Sequence, residues 1–261
     1  MSVQSAIPAV GFAAILALVF FTRPGFAPQG PTVPDITGAS ASAKQSGKEA
    51  VPVAIFTPDD SARLPGIDVS HYQGKINWDK VAASGVAFAY SKTTQGITGV
   101  DSRYAVNLSG ATAAGVPFGS YHFFEPDDDP VKQAEHFLSV AKIGAGSMPP
   151  VLDVEKTPKT ASSAAFSKSI LTWLNKVEAE TNCAPLIYAS PSFFSEHFDA
   201  TLDGTPYWLA EYASAPRPPS GDKTWVLWQH SSSGSVKGIS GQVDLDWFAG
   251  DANALKAFLC T

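Results

Sequence analysis

Apolar and polar positions divide the chain into three regimes. Ala9 to Phe21 is an almost unbroken apolar run, followed by Arg23. Its length suits the apolar core of an export signal, about 7–15 residues, and falls short of the roughly 20 that span a bilayer. No Lys or Arg precedes it, and Pro28 directly after Ala27 spoils a small-x-small cleavage pattern. Residues 1–22 therefore read as a signal peptide or an uncleaved membrane anchor. Either places the folded part outside the cytoplasm, periplasmic or extracellular, with residues 9–21 as a potential tether. Residues 23–64 spread Pro24, Pro28, Pro31, Pro34, Pro52 and Pro58 among Ser, Ala, Gly and Thr with no sustained apolar period, which is the composition of a linker. Residues 51–56 would suit one short strand.

From residue 65 onward the pattern becomes periodic. Short strand-like runs at 66–70, 86–90, 117–124, 150–155 and 185–189 alternate with helix-like segments at 78–85, 104–114, 130–143, 162–180 and 192–198. Asn77 stands where the first of these helices needs a cap. So many alternating units in one chain point to parallel β/α units closed into a barrel. The last third breaks the rhythm. Residues 207–212 and 225–229 read as strands joined by a Pro-rich stretch, and Ser/Gly-rich sequence between Gln229 and Val243 suits a hairpin better than a helix. The expected fold is an α/β, TIM-like irregular (β/α) barrel over residues 65–261, its last helices missing and a β-hairpin near its C-terminus.

Composition narrows the function. The chain carries 24 acidic residues against 18 Lys plus Arg, a net charge of −6, which is a poor basis for gripping nucleic-acid phosphates. Hydrophobic residues make up 44% and charged ones 16%, too apolar for a disordered chain. His71, His122, His136, His197 and His230 show no metal-ligand spacing, and neither a phosphate-binding glycine loop nor a Gly-x-Ser-x-Gly elbow is present. His122 reads as a packing residue, and His71 as a neighbour of the first acidic strand. The two cysteines, Cys183 and Cys260, rule out a four-cysteine zinc site. In an exported chain they suit one bridge tying down the tail, with two free buried thiols as the alternative.

The chemistry lies in carboxylates placed inside or at the ends of apolar strand runs: Asp68, Asp153, Glu155 and Asp244. A desolvated carboxylate is costly without a partner, and barrel strands deliver their ends to one shared mouth. Asp127, Asp128 and Asp129, by contrast, read as a solvated loop. Asp153 and Glu155 stand two apart on one strand and so share a face. Repulsion between them favours one protonated and one ionised carboxyl, the division that glycosidic hydrolysis requires.

The motifs Gly66-Ile-Asp-Val-Ser-His-Tyr-Gln-Gly74, Ala113-Ala-Gly-Val-Pro-Phe-Gly-Ser-Tyr-His-Phe-Phe124, Pro150-Val-Leu-Asp-Val-Glu155, Pro185-Leu-Ile-Tyr188, Tyr207-Trp-Leu-Ala-Glu-Tyr212, and Trp228-Gln229 followed by Gly241-Gln-Val-Asp-Leu-Asp246 occur in that order. This series resembles the glycoside hydrolase family 25 lysozymes, the Chalaropsis-type N-acetylmuramidases. The resemblance implies an irregular barrel that cleaves the β-1,4 bond between N-acetylmuramic acid and N-acetylglucosamine in peptidoglycan; a monomer working without a cofactor is expected. It implies Glu155 as general acid, Asp153 as the group that stabilises charge at the anomeric carbon, and Asp68 and Asp244 as groups that tune the pair. Tyr121, Tyr188, Tyr212, Trp228 and Gln229 are the candidate substrate contacts, because sugars present apolar faces with hydroxyl rims; Trp208 and Trp225 read as core. Two departures stand out: Tyr72 where the family commonly has Trp, and Gln95 where it commonly has Glu. A silent peptidoglycan-binding module and an acid-pair glycosidase acting on chitin-like glycans are the rival readings.

Overall fold

The structure is a computed structural model describing residues 62–217 and 225–261. The apolar run at 9–21, the linker up to residue 61 and the expected strand at 51–56 lie outside the described residues, as do positions 218–224 of the Pro-rich connection.

The predicted alternation is realised. Strands β1 (Arg63–Val69), β2 (Phe88–Gln95), β4 (Phe118–Phe123), β5 (Val151–Asp153), β6 (Leu186–Ala189), β7 (Tyr207–Ala210), β8 (Trp225–Gly234) and β9 (Val243–Ala249) form the wall, and β3 (Gly99–Val100) is a short addition beside β2. Parallel pairing of β1 with β2 at one end of the sheet and antiparallel pairing of β1 with β9 at the other close it into an eight-stranded barrel. Helices α1 (Trp78–Ala83), α2 (Tyr104–Ala113), α3 (Pro130–Val140), α4 (Ser163–Thr181) and α5 (Pro191–His197) follow β1, β3, β4, β5 and β6.

The caps explain several helix starts. Asn77 Oδ1 accepts the Lys80 N–H at 3.0 Å, and Ser162 Oγ caps α4 through Ala165 N–H. Asp129, read from sequence as merely solvated, accepts from Val131 and Lys132 N–H at the start of α3, where Pro130 presets the first helical turn.

Irregularity falls where the sequence placed it. β8 and β9 form an antiparallel hairpin with two register shifts, and no helix intervenes. β8 runs further than expected, to Gly234, because Ser231–Ser233 extend along β9 instead of looping out. Helix α6 (Ala252–Phe258), capped by Asp251, was not predicted: seven residues give too short a pattern to reveal a period. Its tail is held by a Cys183–Cys260 disulfide, which resolves the choice left open between a bridge and free thiols.

Phe88, Tyr90, Val151, Leu186, Trp208 and Phe248 fill the lower barrel. A second cluster, around Phe137, Ile170, Trp173 and Tyr207, seals helices against the outer face of the sheet. Gly66 and Gly119 are required here, since a Cβ at either would overlap the ring of Phe88 or Tyr90. Large rings pack the floor, and the carboxyls are left at the mouth.

Candidate active site

Strand alternation positions the acids. Val151, Asp153 and Glu155 point inward from β5 and its extension, while Leu152 and Val154 point outward into the helix-facing core. Asp68 of β1 and Asp244 of β9 are register partners. Together with Tyr121, Tyr188 and Trp208 these residues line one cavity of ≈ 110 Å³ at the carboxyl ends of the parallel strands. The structure therefore brings Asp68, Asp153, Glu155 and Asp244 to one place from three distant stretches. Larger hollows lie on the far side of the barrel, around Gly115–Phe118 (≈ 660 Å³), and beside α1 (≈ 610 Å³); neither gathers carboxyls.

The acids differ in environment. Asp153 is 7% exposed and Asp68 6% exposed, whereas Glu155 stands open at the rim. Burial, then the charges of Glu155 and Asp68, push the Asp153 carboxyl well above its ordinary range; Lys92 opposes them. Burial and Asp244 raise Asp68 to about 8, against hydrogen bonds from Gln229 and Asp246 that favour its ionised form. Asp244 is raised by burial and by Glu155. Asp153 and Glu155 are hydrogen-bonded to each other, and this contact adds to burial in raising Asp153.

One acid escaped the sequence reading. Asp246, two residues after Asp244 and on the same strand face, is 1% exposed directly behind the site. Its Oδ1 accepts from Trp208 Nε1 at 3.0 Å, its Oδ2 has no N–H donor, and its carboxyl shares a proton-mediated contact with Asp68. Burial, then Asp68, raises its pKa strongly. Its alternation with Asp244 in the Val-Asp-Leu-Asp motif was the available signal.

The expected substrate contacts divide. Tyr121 and Tyr188 line the cavity, and Tyr212 is 61% exposed beside it. Gln229 does not face substrate as expected. It is 4% exposed, its Oε1 accepts from both Tyr188 and Tyr212 hydroxyls at 3.0 Å, and its Nε2 donates to Asp68 Oδ2 at 2.8 Å. Its amide is committed to orienting Asp68. Trp228 is a second correction: it follows the opposite strand face into the outer core and donates to the Glu211 carbonyl at 2.7 Å. Trp208, read as core, is buried and also forms part of the cavity wall. His71 stays out of the cavity, bonded to Asp101 Oδ2 at 2.7 Å and packed at a tilt against the Tyr72 ring. His122 is a packing residue as expected. It lies between Thr94 Oγ1 and Gln133 Oε1, and burial lowers its pKa to about 4. Among the described residues no three His, Cys, Asp or Glu side chains are arranged to hold a metal ion.

A closed barrel whose mouth collects an adjacent carboxyl pair and supporting acids from neighbouring strands is a glycoside-hydrolase type of site. Known proteins with similar sequences and folds point the same way. Residues 67–239 match the family model described as glycosyl hydrolases family 25. Over 216 residues, 77% of this chain and 72% of the relative, it is 37% identical to Lysozyme M1 of Streptomyces globisporus. It is 28% identical to the N,O-diacetylmuramidase of Chalaropsis sp, covering 69% of this chain and 96% of that one. The crystal structure of a bacterial lysozyme from Streptomyces coelicolor superposes with a TM-score of 0.72 at 35% identity, covering 77% of this chain and 98% of that one. The chain belongs to glycosyl hydrolase family 25.

Proposed function

We propose that the protein is a peptidoglycan muramidase that hydrolyses the β-1,4 bond between N-acetylmuramic acid and N-acetylglucosamine, with Glu155 delivering the proton to the leaving oxygen. The supporting observation is a hydrogen-bonded carboxyl pair with one buried and one exposed member, backed by Asp68 and Asp244 in a single cavity. Before substrate binds, the buried member, Asp153, holds the proton. A sugar at the rim reaches Glu155 first. The proton passes from Asp153 to Glu155 along their hydrogen bond and then to the glycosidic oxygen as the C–O bond breaks. Asp153 is left as a carboxylate beneath the anomeric carbon while positive charge develops there, either acting directly or by orienting the substrate's acetamido group. Water completes the hydrolysis by adding its oxygen to that carbon, and the proton it loses returns to the Asp153/Glu155 pair.

The hollow is small beside the about 300–1,000 Å³ of sites that enclose a ligand, so it takes part of one sugar while the strand lies across the rim. Tyr121 and Tyr188 wall it, and the exposed Tyr212 ring offers a face to the next unit. All the acids come from one chain, so a monomer suffices. The disulfide supports an exported location, since such bridges persist in oxidising compartments. Residues 9–21 would serve as the export signal or as a tether.

The test is digestion of purified peptidoglycan with wild-type protein and the Glu155→Gln variant, with mass spectrometry of the products. New reducing ends on muramic acid are expected from the wild type only, with little change in thermal stability because Glu155 is exposed. Binding to the wall without release of reducing ends would make the protein a silent binding module, and cleavage of chitin alone would make it a different acid-pair glycosidase. Full activity in Glu155→Gln would overturn the assignment of the acid.

A further inference from the structure

The rim beside Asp153 carries a second charged set that the acid chemistry leaves unused. Lys92, near the end of β2, donates from Nζ to Gln95 Oε1 at 2.6 Å and lies 4.7 Å from the centroid of the Phe123 ring. Gln95 turns its other end outward, with Nε2 donating to Glu125 Oε1 at 2.6 Å. Glu125 is also held by Lys156 Nζ at 2.7 and 3.0 Å, and Lys156 lies 5.0 Å from the same Phe123 centroid. One neutral carboxamide thus stands between an ammonium and a carboxylate that would otherwise be free to pair.

The consequence is electrostatic. Glu125 has its cation in Lys156, whereas the Lys92 ammonium rests on the neutral Gln95 oxygen. That charge sits over the ring of Phe123, the β4 register partner of Asp153, and it acts on Asp153, His122 and the Glu125 carboxylate. His122 is neutral near pH 7 and Glu125 is already engaged by Lys156, which leaves Asp153 as the acid without a cation of its own on which Lys92 acts. Glu155 and Asp68 are the other charges facing Asp153, and both oppose its ionisation. Helices α2 and α3 pack on the outer face of β2.

We propose that Gln95 and Lys92 form a positioning pair: the Gln95 carboxamide holds the Lys92 ammonium un-neutralised beside Asp153, and that charge sets the pH range over which the Asp153/Glu155 pair carries one proton. The catalytic consequence rests on the muramidase reading; the electrostatic one does not. A positive charge favours loss of each proton from the pair, so removing it moves both limbs of the activity profile to higher pH. Lys92→Met removes the charge outright. Gln95→Ala frees Lys92 to pair with Glu125 and spends the charge there, so it acts in the same direction through the same group.

The experiment compares pH profiles of kcat/KM on soluble glycan strands for the full chain, Lys92→Met, Gln95→Ala and the double variant. In parallel, carboxyl NMR follows Asp153 titration in the protein without substrate. Both single variants should shift the limbs, and the Asp153 titration, upward by on the order of one pH unit. The double variant should shift no further than Lys92→Met alone. Lys92→Gln, which keeps a polar end for Gln95, serves where Lys92→Met does not fold. Limbs that stay in place while activity and thermal stability both fall would reduce the pair to a structural role and overturn the inference, as would additive shifts. If Asp153 titration moves as stated but no reducing ends are released, the muramidase reading fails and the positioning pair stands. If reducing ends are released but the titration does not move, the positioning pair fails and the muramidase reading stands.

Discussion

Replacing Asp68 by Asn should stabilise the fold while impairing catalysis, and the gain should grow with pH. Asp68 is buried, and its carboxyl is raised to about 8, from 3.8, by burial and by Asp244. A folded-state pKa above the unfolded value means that the native protein binds the extra proton. The fold is therefore favoured below about pH 4 and loses stability as pH rises through 8, after which the loss is constant. At 1.36 kcal/mol for each pH unit between the two values, the cost at pH 7 is no more than about 4 kcal/mol. An amide carries no such cost. Its oxygen can keep the Gln229 Nε2 bond, and its N–H₂ supplies a donor to Asp246, whose Oδ2 has no N–H partner. At roughly 2–4 °C for each kcal/mol in a domain of this size, the variant should melt higher at pH 7 by up to about 16 °C and almost alike at pH 4. Calorimetry of both proteins from pH 4 to 8.5 measures this, with muramidase activity followed alongside. A melting difference independent of pH, or a variant less stable than wild type at pH 8, would refute the view that the site stores the cost of a buried carboxyl.

Three further outcomes are expected. Breaking the Cys183–Cys260 bridge by a double Cys→Ala change opens a closure of 77 residues and should cost about 4–5 kcal/mol on the chain-entropy account. Denaturant unfolding checks this, and a loss below about 1 kcal/mol would show that the tail is held by packing alone. Gly119→Ala forces a methyl into the Tyr90 ring and should destabilise by about 1–3 kcal/mol; an unchanged melting temperature would contradict the close approach. Tyr188→Phe together with Tyr212→Phe removes both donors to Gln229 Oε1. The expected result is a fall in kcat larger than the rise in KM, and an effect confined to KM would make these hydroxyls sugar contacts only.

Family, barrel class and the four acids were legible in the sequence because they rest on local signals. Alternating apolar runs, a cap at Asn77, and Asp153 and Glu155 two apart all survive without knowledge of neighbours. Asp246 was visible in its motif but could not be told from an ordinary strand acid until its burial behind Asp68 was known. Gln229 and Trp228 show the same limit from the other side. Adjacent in sequence, they face opposite sides of β8, and only barrel closure decides which side is the mouth. The bridge likewise depended on folding, since 77 residues separate two cysteines whose Cα atoms end 5.4 Å apart. What the order of residues determined by itself was periodicity, and with it which side chains share a face. Which faces meet, which acid is dry enough to keep its proton and which ammonium stays unpaired were decided by tertiary structure, because desolvation and Coulomb energies depend on distances through space that the chain's order does not contain.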